Sequence, residues 1–303
     1  MGKKGKKAQA GKPKKLTPKD VGKRLNALAK NLEEELKNTD NADMFKPLPP
    51  SEDCAICLVR LSRLDSGKSY STCCGNSICL ACRMENKEAI KKQNEEKNGG
   101  KKIAFACPFC REPKPPCADE TIARLQARCL KNDDYALTLM GEHYRDGKCG
   151  TAKDYRYLKA LDCFIQAVEL GSAEACTNIG DIYNGGNGLD VDKKRAALFY
   201  RIGALRGEIF ARHNIGCTEY TSGNHEVGIR HWKIAAEGGS QPSLNNLKKI
   251  YNANGEMPGK QFIGKECMDS LYRVCHDAQE EVKSEEREKH CSDDSTYNDM
   301  MKC

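Results

Sequence analysis

Eight of the chain's 18 cysteines lie between residues 54 and 110, and they lie in pairs. Cys54 and Cys57, Cys79 and Cys82, and Cys107 and Cys110 form Cys-x2-Cys knuckles, and Cys73 and Cys74 are adjacent. A knuckle turn presents both sulfurs to one ion at about 2.3 Å, and eight thiols suffice for two closed tetrahedral zinc sites. The bland reading, a set of buried free thiols, does not explain repeated knuckles. Residues 51–115 offer only Tyr70, Phe105 and Phe109 as aromatics, too little for an unaided core. Metal supplies what is missing, about 10–16 kcal/mol per structural site in small fingers. A chelator is therefore expected to unfold this block and leave the rest folded.

Charge and hydropathy narrow the setting. Mean hydropathy is −0.71, and no run of apolar residues is long enough to span a membrane, so no membrane partner is expected. The first 30 residues are basic and polar, unlike a secretory leader. A cysteine-rich chain without one is expected in a reducing compartment, cytoplasmic or nuclear, where disulfides are rare. The net charge of +7 resides entirely in residues 1–50; the remainder balances to zero. Nucleic-acid contact is expected at most weakly, through Lys3–Lys15. Residues 51–115 hold 12 basic and 8 acidic residues, and two zinc–tetrathiolate sites would bring that block close to neutral. Lys87–Lys102 accordingly reads as a solvated helix and loop.

The chain divides by composition. Residues 1–50 read as a disordered basic tail with a short amphipathic helix. Its stripe of Val21, Leu25, Leu28, Leu32 and Leu36 is marginal alone, and it ends at Pro47, Pro49 and Pro50. The cysteine block occupies 51–115, and a linker helix 116–134 follows. Residues 135–255 repeat. Ala136–Tyr144 matches Ala175–Tyr183 and Ala211–Gly216. Lys159–Gly171 recurs as Arg195–Gly207 and Val227–Gly239. Each unit is two helices with a closing glycine as C-cap. Gly141, Gly180 and Gly216 sit inside predicted first helices at about 1 kcal/mol each against alanine, which predicts close backbone contact there. Phe164, Tyr200 and Trp232 share one position and are expected between layers. A fragment from Ser240 to Tyr251 has Lys248 in place of the helix glycine. Residues 256–290 read as a capping helix with Met268, Leu271, Cys275 and Val282 inward, and 291–303 as a tail. Over roughly 120 residues this pattern resembles the Sel-one-like repeat, a relative of the tetratricopeptide repeat, which implies a surface for recruiting protein.

The order of cysteine pairs resembles the RING finger. The resemblance implies a cross-brace: Cys54, Cys57, Cys79 and Cys82 on one zinc, and Cys107 and Cys110 on the other with two ligands from the Cys73–Asn76 segment. Where the family has Cys-Gly-His, this chain reads Cys74-Gly75-Asn76, and no histidine precedes His143. Cys73 is the nearer substitute and Cys117 the alternative, which makes an all-cysteine variant. RING fingers most often act as ubiquitin ligases that orient a ubiquitin-conjugating enzyme, with structural zinc and no covalent catalytic residue. The resemblance assigns conjugating-enzyme contacts to Ile56, Pro108 and Arg111, with Phe105 standing in for an aromatic. Each has an ordinary alternative, as core, turn former and surface charge. His143, His213 and His231 read as packed or surface residues, and Gly185–Gly188 as a loop. The expected fold is mainly α: a small zinc-stabilised cross-brace RING domain, an α-solenoid of helix pairs, and a disordered basic N-terminal tail. The expected function is ubiquitin ligation with substrate recruited by the repeats; the other reading is a non-catalytic interaction scaffold.

Overall fold

The computed structural model describes residues 16–40, 43–58, 60–61, 68–96, 104–253 and 257–280. Lys3–Lys15, the end of the Lys87–Lys102 run, Val282 and the 291–303 tail lie outside them. Four helices begin alike: α4 (Asp134–Arg145), α6 (Ala173–Gly185), α8 (Ile209–Thr221) and α10 (Gln241–Asn252). Asp133, Ser172, Glu208 and Ser240 precede them, and each side chain accepts the N–H three residues on. Such a cap satisfies one orphan donor and is worth about 1 kcal/mol. Their partners are α5 (Lys153–Glu169), α7 (Lys193–Leu205), α9 (His225–Glu237) and α11 (Lys265–Glu280). Gly171, Gly207 and Gly239 close α5, α7 and α9 with φ of 104°, 92° and 96°, a region that favours glycine.

Each first helix packs on its second, and the pairs stack into a solenoid. The helix glycines explain the fit. A Cβ on Gly180 would lie 2.6 Å from the Tyr200 ring, and one on Gly216 2.7 Å from Trp232. Gly141 faces Phe164 in the same way. The aromatic position and the glycine position are therefore two halves of one contact, a ring laid on bare backbone. The expected backbone-to-backbone approach occurs at Gly216, where an added Cβ would lie 3.1 Å from the Gly228 carbonyl, and reciprocally at Gly228, where a Cβ would meet the Gly216 carbonyl at 2.8 Å; at Gly141 and Gly180 the ring alone is met. The Ser240–Tyr251 fragment becomes α10, and with α11 it forms a fourth pair; Met268, Leu271 and Cys275 are buried there.

The amphipathic stripe, marginal alone, is docked rather than left within a disordered tail. It forms α1 (Pro18–Lys37), capped by Thr17, and buries Val21, Leu25, Leu28 and Leu32 against α5 and α7. A short helix gains stability from such a partner, not from its own propensity. Arg24 pairs with Asp162 of α5, and Glu35 with Arg206 at 3.3 Å. The turn Asp43–Phe45 continues along the solenoid. Buried Arg212 donates 2.6 Å hydrogen bonds to the Met44 and Ala204 carbonyls, and Arg230 covers the Phe45 ring at 3.8 Å. Residues 16–40 and 43–46 thus act as a brace along the helix pairs.

Candidate metal centre

Two knuckles share one local geometry. The Leu58 N–H donates to the Cys54 carbonyl at 2.9 Å and the Arg111 N–H to the Cys107 carbonyl at 3.0 Å. Asp53 bridges Arg60, and Ala106 bridges Pro113. Leu58 and Arg111 take φ of 59° and 61°, a left-handed position at which a non-glycine residue is strained. The hairpin of β1 (Lys68–Tyr70) and β2 (Ser77–Cys79) closes with Tyr70 opposite Ser77, and its turn carries Cys73 and Cys74. Strand β2 runs straight into α2 (Leu80–Glu96), so Cys79 ends the strand and Cys82 lies in the first helical turn.

These elements gather the sulfurs into two groups. Cys54, Cys57, Cys79 and Cys82 form one, and Cys73, Cys74, Cys107 and Cys110 the other, with all ligand atoms of a group within 4.8 Å of one another. Cys117 precedes α3 (Ala118–Cys129), is exposed, and belongs to neither. The Cys57–Cys79 sulfurs are 3.8 Å apart and the Cys74–Cys107 sulfurs 3.7 Å. Disulfides need about 2.05 Å. Four sulfurs at about 2.3 Å around a tetrahedral ion would stand about 3.8 Å from one another, so the donor set fits zinc.

Hydrogen bonds prepare the thiols. The Cys79 N–H donates to Cys54 Sγ at 3.3 Å, Ile56 N–H donates to the same sulfur at 3.5 Å, and Asn76 Nδ2 donates to Cys74 Sγ at 3.4 Å. Asn76 therefore supports a ligand where the RING pattern has one. Burial pushes the Cys54 thiol up, but backbone N–H groups of Cys57, Cys79 and Ile56 outweigh it and bring the thiol down to about 6. Burial likewise opposes, and bonds from Cys110 and Phe109 N–H groups favour, the Cys107 thiolate, which lies at about 7. Burial holds Cys73, Cys79 and Cys82 above the ordinary thiol range. Each group thus has one thiol that ionises readily, and a bound cation would draw the protons from the others.

Ile56 and Arg111 are exposed on their knuckles, and Pro108 is half-buried. Phe105 is half-buried, whereas Phe109 packs on the small core of Cys54, Leu61, Ile78, Cys79 and Cys82. Leu58, 76% exposed, was not singled out by sequence. Its left-handed backbone turns it outward, and the sequence carries no sign of that. The module is clamped to the solenoid as well. Tyr70 Oη donates to Asp133 at 2.6 Å, Arg128 Nε donates to the same carboxylate at 2.8 Å, and the Tyr70 and Tyr135 rings lie 4.8 Å apart. The Arg128 guanidinium fills the space that a Cβ on Gly75 would need. Asp133, counted as a helix cap, thus also anchors the cysteine block.

The first helices carry a second regular feature. Asn178, Asn214 and Asn246 stand at one position of successive units. Asn178 donates to Glu142 at 3.3 Å, Asn214 to Asp181 at 3.1 Å, and Asn246 to Cys217 Sγ at 3.9 Å. Each asparagine reaches the residue that follows the helix glycine, or its equivalent, in the unit before. Tyr200 Oη also donates to Asp181, at 2.7 Å. His213 meets Ser243 at 2.8 Å and Cys217 at 3.5 Å, but burial pushes the thiol up and the imidazole down, which leaves both neutral.

Among the described residues no helix is long and apolar enough to cross a membrane. The Sel1 repeat family model matches residues 134–172 and 173–208. A sel1-like repeat-containing protein, L21, of Acanthamoeba polyphaga mimivirus is 24% identical over 131 residues, which are 41% of this chain and 25% of that protein. A crystal structure of a Sel1 repeat protein from Oxalobacter formigenes is 28% identical at a TM-score of 0.46, covering 54% of this chain and 65% of that one. The crystal structure of c5321, a protective antigen of uropathogenic Escherichia coli strains displaying an SLR fold, is 21% identical at a TM-score of 0.43, covering 66% and 41%. The chain thus spans a quarter of the mimivirus protein and less than two thirds of either crystallised chain. No zinc-binding family is identified in the cysteine block. The two matched segments coincide with the helix pairs α4–α5 and α6–α7.

Proposed function

We propose that the chain is a RING-type ubiquitin ligase in which a two-zinc module positions a conjugating enzyme and the Sel1 repeats recruit protein substrate. The observation that carries this reading is the interleaving of four cysteine pairs into two groups of four sulfurs. Cys54, Cys57, Cys79 and Cys82 would hold one zinc, and Cys73, Cys74, Cys107 and Cys110 the other; the metal would supply folding energy and no chemistry. Exposed Ile56 offers an apolar contact on the first knuckle. Arg111, exposed on the last, offers a planar fork able to bond two partners at once. Pro108, half-buried inside the last knuckle between Cys107 and Cys110, would shape the contact surface beside Arg111. The gain in rate comes from orientation of the bound thioester, so no nucleophile is required of this chain.

The match to Sel1 repeats, units that generally mediate protein–protein interaction, also supports a second reading, a zinc-stabilised scaffold without ligase activity. Metal analysis paired with autoubiquitination against a panel of conjugating enzymes separates the two. The ligase reading expects two zinc ions per chain. It also expects ubiquitin chains that Ile56→Ala and Arg111→Ala both abolish without loss of zinc. Zinc-loaded protein inactive with every conjugating enzyme establishes the scaffold.

A further inference from the structure

A cavity of about 740 Å³ lies where the cysteine module faces the first helices of the repeats. Pro50, Leu61 and Tyr70 contribute to one wall, and α4, α6 and the start of α8 to the other. Its volume is that of a ligand site for several side chains. Its chemistry is one-sided. Seven carboxylates line it, among them Asp134, Glu142, Glu174, Asp181 and Glu208, against two lining cations, Lys68 and Arg206; outside the lining, Arg128 pairs with Asp133 and Arg145 stands 4.0 Å from Glu142, which leaves the acidic excess on the remaining carboxylates. Both cations face other groups: Lys68 lies over the Tyr135 ring at 4.9 Å, and Arg206 pairs with Glu35 of α1 and donates to the Val168 carbonyl. Asp181 accepts from Tyr200 and Asn214, two neutral donors that orient its charge, and Arg145 nearby offsets part of it.

A second observation comes from an apolar side chain. Phe210, at the start of α8, lines the same cavity and is 43% exposed. A large ring beside carboxylates suits a side chain with an alkyl stem and a cationic head, which covers the ring and meets the acid together. The asparagine ladder on the first helices repeats unit by unit, which matches an extended chain better than one small cation. An anionic ligand such as nucleic acid would meet like charge at most of the charged groups in the lining.

We propose that this cavity binds a lysine- or arginine-rich polypeptide segment. The inference deepens the protein-interaction reading of the repeats and rests on it; it does not require ligase activity. The cysteine module then supplies one wall of the binding site, and the clamp of Tyr70, Arg128 and Asp133 holds that wall in place.

Fluorescence anisotropy on the full zinc-loaded chain tests the proposal, with a labelled peptide of the sequence Lys3–Lys15 as the basic probe. A peptide of the same length with glutamate for each lysine is the control. Binding of the basic probe is expected to weaken about tenfold or more between about 50 and about 300 mM salt. The double variant Glu174→Gln, Asp181→Asn is expected to lose about tenfold in affinity with its helix content unchanged. Arg111→Ala, outside the cavity, should leave peptide affinity as it is even where it abolishes ubiquitination, so the two readings fail separately. Equal binding of the acidic peptide, no binding of the basic one, or an unmoved affinity in the double variant overturns the proposal. Tighter binding after removal of residues 1–15 shows that the chain's own lysines compete for the cavity, and upholds the charge assignment.

Discussion

His231 shows what a single side chain can do to the pH response of this fold. It lies on α9, 3% exposed, with its ring 5.0 Å from Phe45 and no hydrogen-bond partner for Nδ1 among the described residues. Burial first, then Arg212 of α8, hold the imidazole down to about 4; Glu219 opposes them by more than either Arg201 of α7 or Arg230 of its own helix adds. The native state therefore refuses a proton that the unfolded chain accepts at its ordinary 6.5. Stability is unaffected above that value and falls as pH drops from there toward 4, by an amount on the order of 3 kcal/mol at the lower end. His231→Phe keeps a ring against Phe45 and removes the titration. Its urea midpoint, followed by the fluorescence of Trp232, should change less between pH 6.5 and 4.5 than that of the parent; parallel pH profiles would contradict the assignment. The sequence shows His231 only as one of three histidines read as packed or surface residues. It holds no sign of the penalty, because Arg201, Arg212 and Phe45 reach it from distant parts of the chain.

At the scale of elements, legibility follows whether a helix carries its partner's address. The repeat helices do: an N-cap, a bare glycine and an aromatic recur at fixed spacing, so each copy identifies the others' contacts. The stripe of α1 shows only that one face wants burial, and its partners α5 and α7 lie more than a hundred residues away. Thus the helix was readable and its docking was not. Leu25 is buried at the centre of that face. Leu25→Ala removes buried methyl groups and leaves a cavity, at about 2–5 kcal/mol. The expected outcome is a lower urea midpoint for Trp232, with far-ultraviolet helix content nearly unchanged before the transition. An unchanged midpoint would mean that the brace contributes nothing to the solenoid. The fourth pair was hidden for another reason: Lys248 replaces the glycine that marks the other units, and α11 stands apart from α10 by a connection with no repeat pattern.

At the scale of the molecule, the two parts are stabilised by different physics yet share one joint. The solenoid buries apolar layers along its described helix pairs, whereas the cysteine block has a core of five buried residues among the described ones and would depend on its metal. Knuckle spacing makes that dependence readable from sequence. The joint is not readable, because Tyr70 and Asp133 are 63 residues apart and each has an ordinary local role. Asp133 sits at the crossing point. Burial raises its carboxyl, but Tyr70, the Ala136 N–H and Arg128 outweigh that and lower it, so the contact is strongest above the carboxylate range and fades as pH falls through the depressed native value. Removal of zinc should therefore not act on all helices alike. With chelator at neutral pH, hydrogen exchange should lose protection in β2 and α2, keep it in α6 to α9, and weaken it at the start of α4, where Asp133 gives up Tyr70. Tyr70→Phe in zinc-loaded protein should reproduce only the last of these changes. Uniform protection after chelation would show that the thiols need no ion, and collapse of the entire solenoid would show that the joint carries more of the fold than its few bonds suggest.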